Sequence, residues 1–276
     1  MSVSVIILTL NEEINIGDCL KTLDWSDDIL VLDSKSRDST CAIARARGAR
    51  VLERSFDNWS AHQNWAVRNI DFRYPWVLYL DADERCSPEL RDEILRLATS
   101  NAIESAFRIK RRDYFMGRWL KHAQLYPTWF VRLFRPEKIR YERLVNPVAT
   151  VDGLIGSLAN DIHHYPFSHG VSHWINRHNN YSDLEAQELL KVRTGAGDSN
   201  TNLLTHDPNE RRRALKDLFF RMPARPILKF SYYYFVRRGF LDGRAGLTYS
   251  GLQAFYEYMI DCKYRELQRR QQGLPV

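Results

Sequence analysis

Short apolar runs alternate with amphipathic stretches throughout the first hundred residues, and this alternation restricts the fold more than any other feature. The apolar runs are rich in β-branched residues and are typical of buried strands: Val3–Leu8, Ile29–Leu32, Val51–Leu52 and Trp76–Leu80. An amphipathic stretch follows each of these runs. The resulting βαβαβαβα order predicts a mostly parallel sheet with helices on both faces.

Capping residues support the predicted helices. Asn11 is a candidate cap for the first helix, Asp38 or Ser39 for the second, and Ser87 for the fourth, while the third is expected near residues 61–70. Each of these side chains has an oxygen that accepts a hydrogen bond from the first turn of a helix.

The remainder of the chain has a different pattern. Residues 103–155 contain short strand-like pieces and turn residues, which predicts a mixed sheet edge with long loops. Trp174–Val192 is predicted to be helical, and from Asn209 onward the sequence is helical, basic and aromatic. We therefore expect an α/β protein whose parallel sheet is followed by a mixed region and a helical segment.

The net charge of +6 conceals an asymmetry along the chain. Residues 1–100 carry 12 Lys and Arg against 17 Asp and Glu (12 − 17 = −5), whereas residues 208–244 carry 10 against 3 (10 − 3 = +7). Charges interrupt this basic, aromatic block too often for a membrane-spanning helix, which needs about 20 apolar residues. The block favours a peripheral position on an anionic membrane surface, and no nucleic-acid partner is expected.

The cysteines and the N-terminal sequence bear on the compartment. The four cysteines are widely spaced and have no metal-ligand pattern, which favours a reducing cytosol over a disulfide framework or a zinc site. The first apolar run has no basic residue before it, so a secretory signal is not expected. We expect a cytoplasmic protein bound peripherally to the inner face of the cytoplasmic membrane.

Three polar clusters follow predicted strands, at the edge where ligands bind in parallel α/β sheets. They are Thr9-Leu10-Asn11-Glu12-Glu13, Asp33 to Asp38, and Asp81-Ala82-Asp83-Glu84. Carboxylates at the mouth of an apolar strand are suited to Mg²⁺ or Mn²⁺, which takes further ligands from water and substrate phosphates. A lone carboxylate such as Asp33 suits a ribose hydroxyl or a base edge, whereas Asn11 is equally suited to a cap or a ligand.

These clusters resemble the motifs of family-two glycosyltransferases with the GT-A fold. The matching stretches are Ile6 to Glu13, Val31 to Thr40 and Leu80 to Glu84. Later stretches are similar to the bacterial subgroup that adds glucose to the lipopolysaccharide inner core: Arg132-Leu133-Phe134-Arg135, Glu142-Arg143-Leu144-Val145, Val151-Asp152-Gly153, His164-Tyr165 and Gly239-Phe240-Leu241-Asp242-Gly243. The resemblance covers nearly the whole chain.

The resemblance implies a role for each cluster. Thr9, Leu10 and Asn11 would line the nucleotide base, Glu13 and Asp33 would hold uracil and ribose, Asp81 would face the ribose or metal-bound water, and Asp83 would ligate the divalent ion at the diphosphate. It also implies inversion by a single displacement, in which the metal stabilises the leaving diphosphate and a general base activates the acceptor hydroxyl.

The chain departs from the subgroup at several positions. The subgroup commonly has Gly where Lys35 stands and a basic residue where Gln63 stands. It usually has His-Glu at Asn146-Pro147, where the Glu is a candidate base that proline cannot replace. Glu142 is the acidic candidate nearest in sequence, and Asp152 and Asp113 are the others.

We expect three functional parts: residues 1–100 bind the nucleotide sugar, 101–193 form the acceptor side of the same domain, and 209–276 form the membrane-surface segment. The predicted activity transfers a sugar, glucose by resemblance, from a UDP-sugar to an envelope glycan or glycolipid such as lipopolysaccharide core. Exopolysaccharide and lipid-linked sugars remain alternative acceptors. A sugar-nucleotide nucleotidyltransferase is disfavoured because the loop at residues 9–13 is acidic and lacks glycine. An aspartyl phosphatase is disfavoured because its motif normally follows the first strand.

Overall fold

The structure is a computed structural model, and it describes residues 3–142, 147–194 and 218–276. The chain forms two compact units: Met1–Tyr114 with Leu125–Ser168, and Phe115–Gln124 with His169–Val276. These units are divided by compactness, whereas the three predicted parts are divided by function. The functional division therefore stays a prediction.

The first unit is built on one large sheet. In chain order, the strands of the described residues are β1 (Ser4–Thr9), β2 (Ile29–Asp33), β3 (Arg50–Glu53), β4 (Val77–Asp81), β5 (Glu84–Cys86), β6 (Ala106–Phe115), β7 (Arg118–Trp119), β8 (Thr128–Phe134), β9 (Ile139–Glu142), β10 (Val148–Val151) and β11 (Ile155–His164). The main sheet runs β3-β2-β1-β4-β8-β6-β11-β5, and β9 and β10 form a separate antiparallel pair. Strands β3, β2, β1 and β4 are parallel, while β8 and β5 pair antiparallel with their neighbours. The predicted mostly parallel sheet, followed by a mixed region, is confirmed.

Helices cover both faces of this sheet. They are α1 (Glu13–Lys21), α2 (Thr40–Ala46), α3 (Trp59–Asn69) and α4 (Pro88–Ala98), and a 3₁₀ turn spans Pro136–Lys138. One apolar cluster joins residues of α1, α2 and α4 to one face, and a second joins α3 to the other. Successive strand side chains alternate between the two clusters, so Val5 and Ile7 enter the first, and Ile6 and Leu8 enter the second.

Local hydrogen bonds explain where the helices start. The Ser87 hydroxyl accepts a hydrogen bond from the Leu90 amide at 3.1 Å, with Pro88 in the first turn, so the predicted cap of α4 is confirmed. For α1 the candidate cap Asn11 is wrong. Glu12 occupies the cap position, and Asn11 adopts φ 55° in the preceding loop.

The register of the parallel strands brings three predicted site residues to one edge. Thr9 lies opposite Asp33 across the β1–β2 pair, and Leu8 lies opposite Asp81 across the β1–β4 pair. The strands run in the same direction, so their carboxyl ends share this edge. The polar clusters therefore converge as the sequence predicts.

The second unit is mainly helical. It contains α5 (Gly170–Thr194), α6 (Arg225–Ser231), a π-helical turn (Tyr232–Val236), a 3₁₀ turn (Gly239–Asp242) and α7 (Gly243–Gln271). Ala186 and Leu189 of α5 pack with Ile260 and Tyr264 of α7 in its apolar core. Helix α7 approaches the 3₁₀ turn at Gly246, where an added Cβ would lie 2.0 Å from a backbone oxygen. No helix in the described ranges is both long and apolar enough to cross a bilayer.

Candidate active site

The loops that follow β1 and β2 are joined by hydrogen bonds. Thr9 donates its hydroxyl to Asp33 at 2.8 Å, and the Ser36 amide donates to the same carboxylate at 2.7 Å. The Asn11 amide donates to the Ser36 hydroxyl at 2.7 Å, and the Asn11 side-chain oxygen accepts from the Arg37 amide at 2.8 Å. Asp33 is fully buried and maintains the loop shape, so its contact with a ribose or base stays a prediction.

A second set of bonds joins the start of α1 to the start of α2. The Glu13 amide donates to Asp38 at 3.1 Å, and the Glu13 carboxylate accepts from the Ser39 amide at 3.0 Å. Burial raises the pKa of Asp38, but hydrogen bonds from Thr40 and Glu13 outweigh it and lower that pKa below its ordinary value. Asp38 therefore remains an anion that caps both helices.

Two side chains of these loops project into solvent. Leu10 is 52% exposed although it is apolar, and Lys35 is also exposed. Lys35 has φ 67°, in the left-handed region that favours glycine, which gives a physical reason for the glycine common in the subgroup. The Thr9 carbonyl accepts from the Ser34 amide at 2.9 Å and the Asn11 amide is bonded to Ser36, so the exposed side chains of Leu10 and Lys35 are what these loops offer to a ligand.

Asp81 belongs to a buried ionic network. Its carboxylate accepts from the Tyr79 hydroxyl at 2.6 Å and from the Arg132 guanidinium at 2.6 Å. Arg132 also donates to Glu84 at 2.8 Å, and Glu84 accepts from the Asp81 amide at 3.0 Å. Arg132, from one of the stretches that resemble the subgroup, is thus paired with two acids.

The pKa values of the two carboxylates of this network shift in opposite directions, although Arg132 lowers both of them. Burial raises the pKa of Asp81, yet the Arg132 charge and the hydrogen bonds outweigh it, and the pKa falls below its ordinary value. Burial raises the pKa of Glu84 and prevails over Arg132, since Glu84 is fully buried and also feels Asp81. Burial opposes the charge on Arg132, but both carboxylates raise its pKa.

Asp83 faces His164, which the sequence shows only as part of the His164-Tyr165 stretch. The His164 Nε2 atom lies 3.2 Å from an Asp83 carboxylate oxygen, and the Nδ1 atom of the same ring is bonded to Asp113. Burial lowers the pKa of His164, but Asp83 and Asp113 outweigh it and raise that pKa to about 9. Strand pairing accounts for the cluster, because His164 lies opposite Glu84 on β5 and opposite Asp113 on β6.

The donor set at Asp83 fits a divalent ion that is completed by substrate. Asp83 is partly exposed and supplies a hard oxygen ligand, and His164 supplies a nitrogen whose ring is oriented by Asp113. Within the described residues, no group of three acidic, His or Cys side chains is arranged as a closed metal site. An open site of this kind suits an ion that keeps waters and binds diphosphate oxygens.

The candidate bases have different surroundings. Glu142 ends β9, is exposed and pairs with Arg140 at 3.0 Å. Asp113 is buried and is engaged by His164 and Arg111, while Asp152 is exposed and pairs with Lys138 at 2.8 Å. Asn146 lies outside the described residues.

The strand that carries Glu142 lies close to the ionic network. Tyr141, the preceding residue, is buried, and burial is the main cause that raises its pKa. Tyr141 belongs to the same apolar cluster as Tyr79, whose hydroxyl is bonded to Asp81. Two hydrogen bonds between Asn64 and the Tyr141 backbone, of 2.7 and 2.8 Å, hold the strand against α3.

Comparison with known proteins was consistent with this arrangement. The family model described as "Glycosyl transferase family 2" matches residues 4–157. An uncharacterized glycosyltransferase of Rickettsia typhi is 26% identical, over 96% of this chain and 87% of that protein. A lipopolysaccharide core biosynthesis glycosyltransferase, LpsC of Rhizobium meliloti, is 25% identical, over 96% of this chain and 89% of that protein.

Solved structures match over a shorter stretch. Glucosyl-3-phosphoglycerate synthase from Mycobacterium tuberculosis, crystallised with Mn²⁺, uridine diphosphate and glucosyl-3-phosphoglycerate, is 23% identical with a TM-score of 0.33. The match covers 41% of this chain and 44% of that chain, less than half of each.

Proposed function

Because the chain belongs to glycosyl transferase family 2, we propose that it is an inverting, metal-dependent enzyme that transfers glucose from UDP-glucose to a hydroxyl of a cell-envelope glycan or glycolipid. The observation that carries the proposal is the Asp83–His164 pair, at the end of the sheet where the β1 and β2 loops converge. Lipopolysaccharide core is the proposed acceptor, which the similarity to LpsC supports.

The donor nucleotide binds on the loops after β1 and β2. Leu10 offers an exposed apolar surface to the flat base. Hydrogen bonds of Asn11, Glu13 and Asp33 between the two loops fix the loop conformation before the donor binds. Less conformational entropy is then lost when the donor binds. The proposed nucleotide-sugar-binding residues are Thr9, Leu10, Asn11, Glu13, Asp33 and Asp81.

Asp83 and His164 hold the Mg²⁺ or Mn²⁺ ion of the proposed reaction. The bound ion neutralises negative charge that develops on the departing diphosphate. Asp113 orients the His164 ring through Nδ1, so that Nε2 is directed at Asp83. The Arg132 network holds the turn between β4 and β5 that carries Asp83.

Inversion requires a base on the face of the sugar opposite the leaving group, and Glu142 is the proposed base. Its exposure leaves it open to an acceptor hydroxyl, whereas Asp113 is buried and engaged. Glu142→Gln is expected to lower kcat by about 100-fold or more with little change in the KM for the donor. Asp152→Asn changes another exposed, ion-paired carboxylate and is the matched control. If the two variants have equal effects on kcat, Glu142 is not the base.

We place the enzyme at the inner face of the cytoplasmic membrane, where a lipid-carried acceptor is met. The C-terminal segment, residues 209–276, is the proposed contact with the anionic surface, and residues 209–217 lie outside the described residues. Cations attract anionic headgroups, and aromatic rings favour the interfacial region.

A donor screen tests the proposed chemistry. Hydrolysis of UDP-, GDP- and dTDP-sugars would be measured with Mg²⁺ or Mn²⁺ and with EDTA, and UDP binding by calorimetry with and without Mn²⁺. We expect a preference for UDP-glucose, and metal-dependent UDP binding that Asp83→Ala weakens at least tenfold. Asp92→Ala, in an exposed pair with Arg91, is the control. A preference for GDP-mannose, or unchanged binding by Asp83→Ala, would refute the donor or the metal assignment respectively.

A further inference from the structure

Residues 218–256 present no exposed carboxylate to solvent. The single acidic residue of this stretch, Asp242, is buried and accepts hydrogen bonds from the amides of His122 and Ala123 at 2.9 and 2.7 Å. Glu257, the next acid along the chain, is buried and pairs with Arg225 at 2.6 Å. The accessible surface of the stretch is therefore apolar, polar-neutral or cationic.

Large apolar side chains are exposed on the same stretch. Ile227 is 68% exposed, Phe235 59% and Val236 69%, and Phe240 and Leu241 are about half exposed. We call these five residues the apolar patch. Phe235 and Phe240 are neighbours, since both rings contact Tyr234, with centroids 5.1 and 6.2 Å apart. Side chains of this size rarely stay in water together on a protein that has no partner for them.

A hairpin tip extends the apolar patch. Arg118 donates to the Leu241 carbonyl at 3.0 Å, which holds the turn at Met116-Gly117 beside the 3₁₀ turn. Met116 is exposed and adopts φ 50°, and Gly117 adopts φ 72°, so the methionine stands at the tip of a tight turn. An exposed methionine at such a tip adds a flexible apolar side chain to the patch.

Fewer cations are available on this stretch than the sequence count suggests. Arg225 is buried against Glu257, and Lys229 lies 3.2 Å from the same carboxylate. Arg237 is half-buried and donates to the Gln124 carbonyl at 3.1 Å. The exposed cations of the stretch are Arg221, Arg238 and Arg244. Three of the six cations of residues 218–256 are thus exposed, so this stretch attracts an anionic surface less strongly than its composition implies, and apolar insertion has to contribute.

We infer that the apolar patch with Met116 inserts into the headgroup–acyl boundary of an anionic bilayer, while Arg238 and Arg244 bind lipid phosphates. This rests on, and makes specific, the membrane association proposed above. Burial at this boundary stabilises aromatic and aliphatic side chains, and arginine can keep its charged group at the level of the headgroups. A second copy of the chain fits less well, because a self-complementary contact would bring arginines together with no exposed carboxylate to neutralise them.

Vesicle sedimentation tests the inference with the full chain, in the absence of donor and acceptor. Vesicles of phosphatidylcholine alone and of phosphatidylcholine with phosphatidylglycerol would be compared at low and high salt. We expect the double variant F235S/V236S to lose at least tenfold in partition to anionic vesicles at both salt concentrations. The double variant R238Q/R244Q is expected to bind anionic vesicles several-fold more weakly at low salt, to keep its binding at high salt, and so to show a smaller salt dependence than the wild type.

Two controls separate the inference from folding defects and from the enzymatic proposal. Leu184→Ser replaces a residue of α5 that is similarly exposed, at 62%, and is expected to bind vesicles like the wild type. Metal-dependent UDP binding reports the state of the nucleotide site: its absence from the wild type would count against the proposed function and not against the patch, and its retention in F235S/V236S shows that this variant is folded. Wild-type partition by F235S/V236S would overturn the inference. The inference would also be overturned if the wild type is a dimer that does not bind vesicles and F235S/V236S is a monomer.

Discussion

Replacing Arg132 by methionine tests whether the ionic network holds the β4–β5 turn. Methionine keeps an unbranched apolar stem but removes the guanidinium, which contacts Asp81 at 2.6 Å, Glu84 at 2.8 Å and the Tyr79 ring at 4.3 Å. Glu84 is then a fully buried carboxylate whose nearest remaining cation is Arg111, at 3.8 Å. Breaking a buried pair in this way costs about 3–5 kcal/mol of unfolding free energy, because a charge is left uncompensated.

Thermal and urea unfolding followed by circular dichroism would measure the loss. At about 2–4 °C per kcal/mol for a chain of this size class, the expected fall in Tm is about 6–20 °C. Arg91→Met is the control, because Arg91 and Asp92 form an exposed pair expected to contribute about 0–1 kcal/mol. Hydrogen exchange should localise the extra opening of Arg132→Met to β4, β5 and β8.

The stability difference should also depend on pH. Burial raises the pKa of Glu84 above its ordinary value even beside Arg132, and loss of Arg132 raises that pKa further. A carboxyl whose pKa is raised in the folded state stabilises that state at low pH, and the contribution is lost as pH rises. The deficit of Arg132→Met should therefore be smaller at pH 5 than at pH 7.5, and Glu84→Gln should restore part of it. A loss no larger than that of Arg91→Met, or one independent of pH, would refute this reasoning.

Three further predictions concern packing, capping and metal binding. Gly246→Ala should destabilise the protein by about 1–3 kcal/mol because the new Cβ would lie 2.0 Å from the Gly239 carbonyl oxygen. Gly251→Ala, on the same helix, has open space around the new Cβ and should stabilise the protein by about 0.5–1 kcal/mol. Urea unfolding would measure both changes. Ser87→Ala should cost about 1 kcal/mol by removing the cap of α4, seen as faster amide exchange in its first turn. Asp83 and Asp113 outweigh burial and raise the pKa of His164 to about 9, so a metal that binds His164 has to displace a proton. The affinity for Mn²⁺ should therefore rise about tenfold per pH unit between pH 6.5 and 8. An affinity that does not change with pH would exclude His164 as a ligand.

Local sequence patterns predict the sheet because each of its first strands is a short apolar run that can be recognised without knowledge of its neighbours. The apolar runs ending at Leu32 and Leu80 predict β2 and β4, and the structure extends each by one residue to Asp33 and Asp81. The backbones of both aspartates pair in the sheet, while the Asp33 side chain is bonded to Thr9 and Ser36, and the Asp81 side chain to Tyr79 and Arg132. The convergence of the three clusters follows from parallel pairing alone, which βα alternation already implies.

The bonding within the site depends on contacts that no local pattern contains. Asn11 resembles a helix cap, but the loop at residues 36–37 engages it and holds it in the left-handed region. Arg132 reaches Glu84, 48 positions earlier in the sequence, because β8 pairs with β4 and Glu84 follows soon after β4. The sequence likewise gives the number of basic residues in the C-terminal block. It does not show that Arg225 is buried against Glu257, because that contact depends on how the helices pack.

The hydrogen bonds between the β1 and β2 loops have a consequence for how donor preference can change. Each loop provides both a donor and an acceptor to the other through Asn11, Ser36 and the Arg37 amide, so substitution of Asn11 or Ser36, whose side chains make these bonds, displaces both loops at once. Leu10 and Lys35 are exposed on the same loops, and their side chains are free of this constraint. Variation in sugar-nucleotide preference among related chains should therefore concentrate at these two positions, while the frame that carries them stays the same.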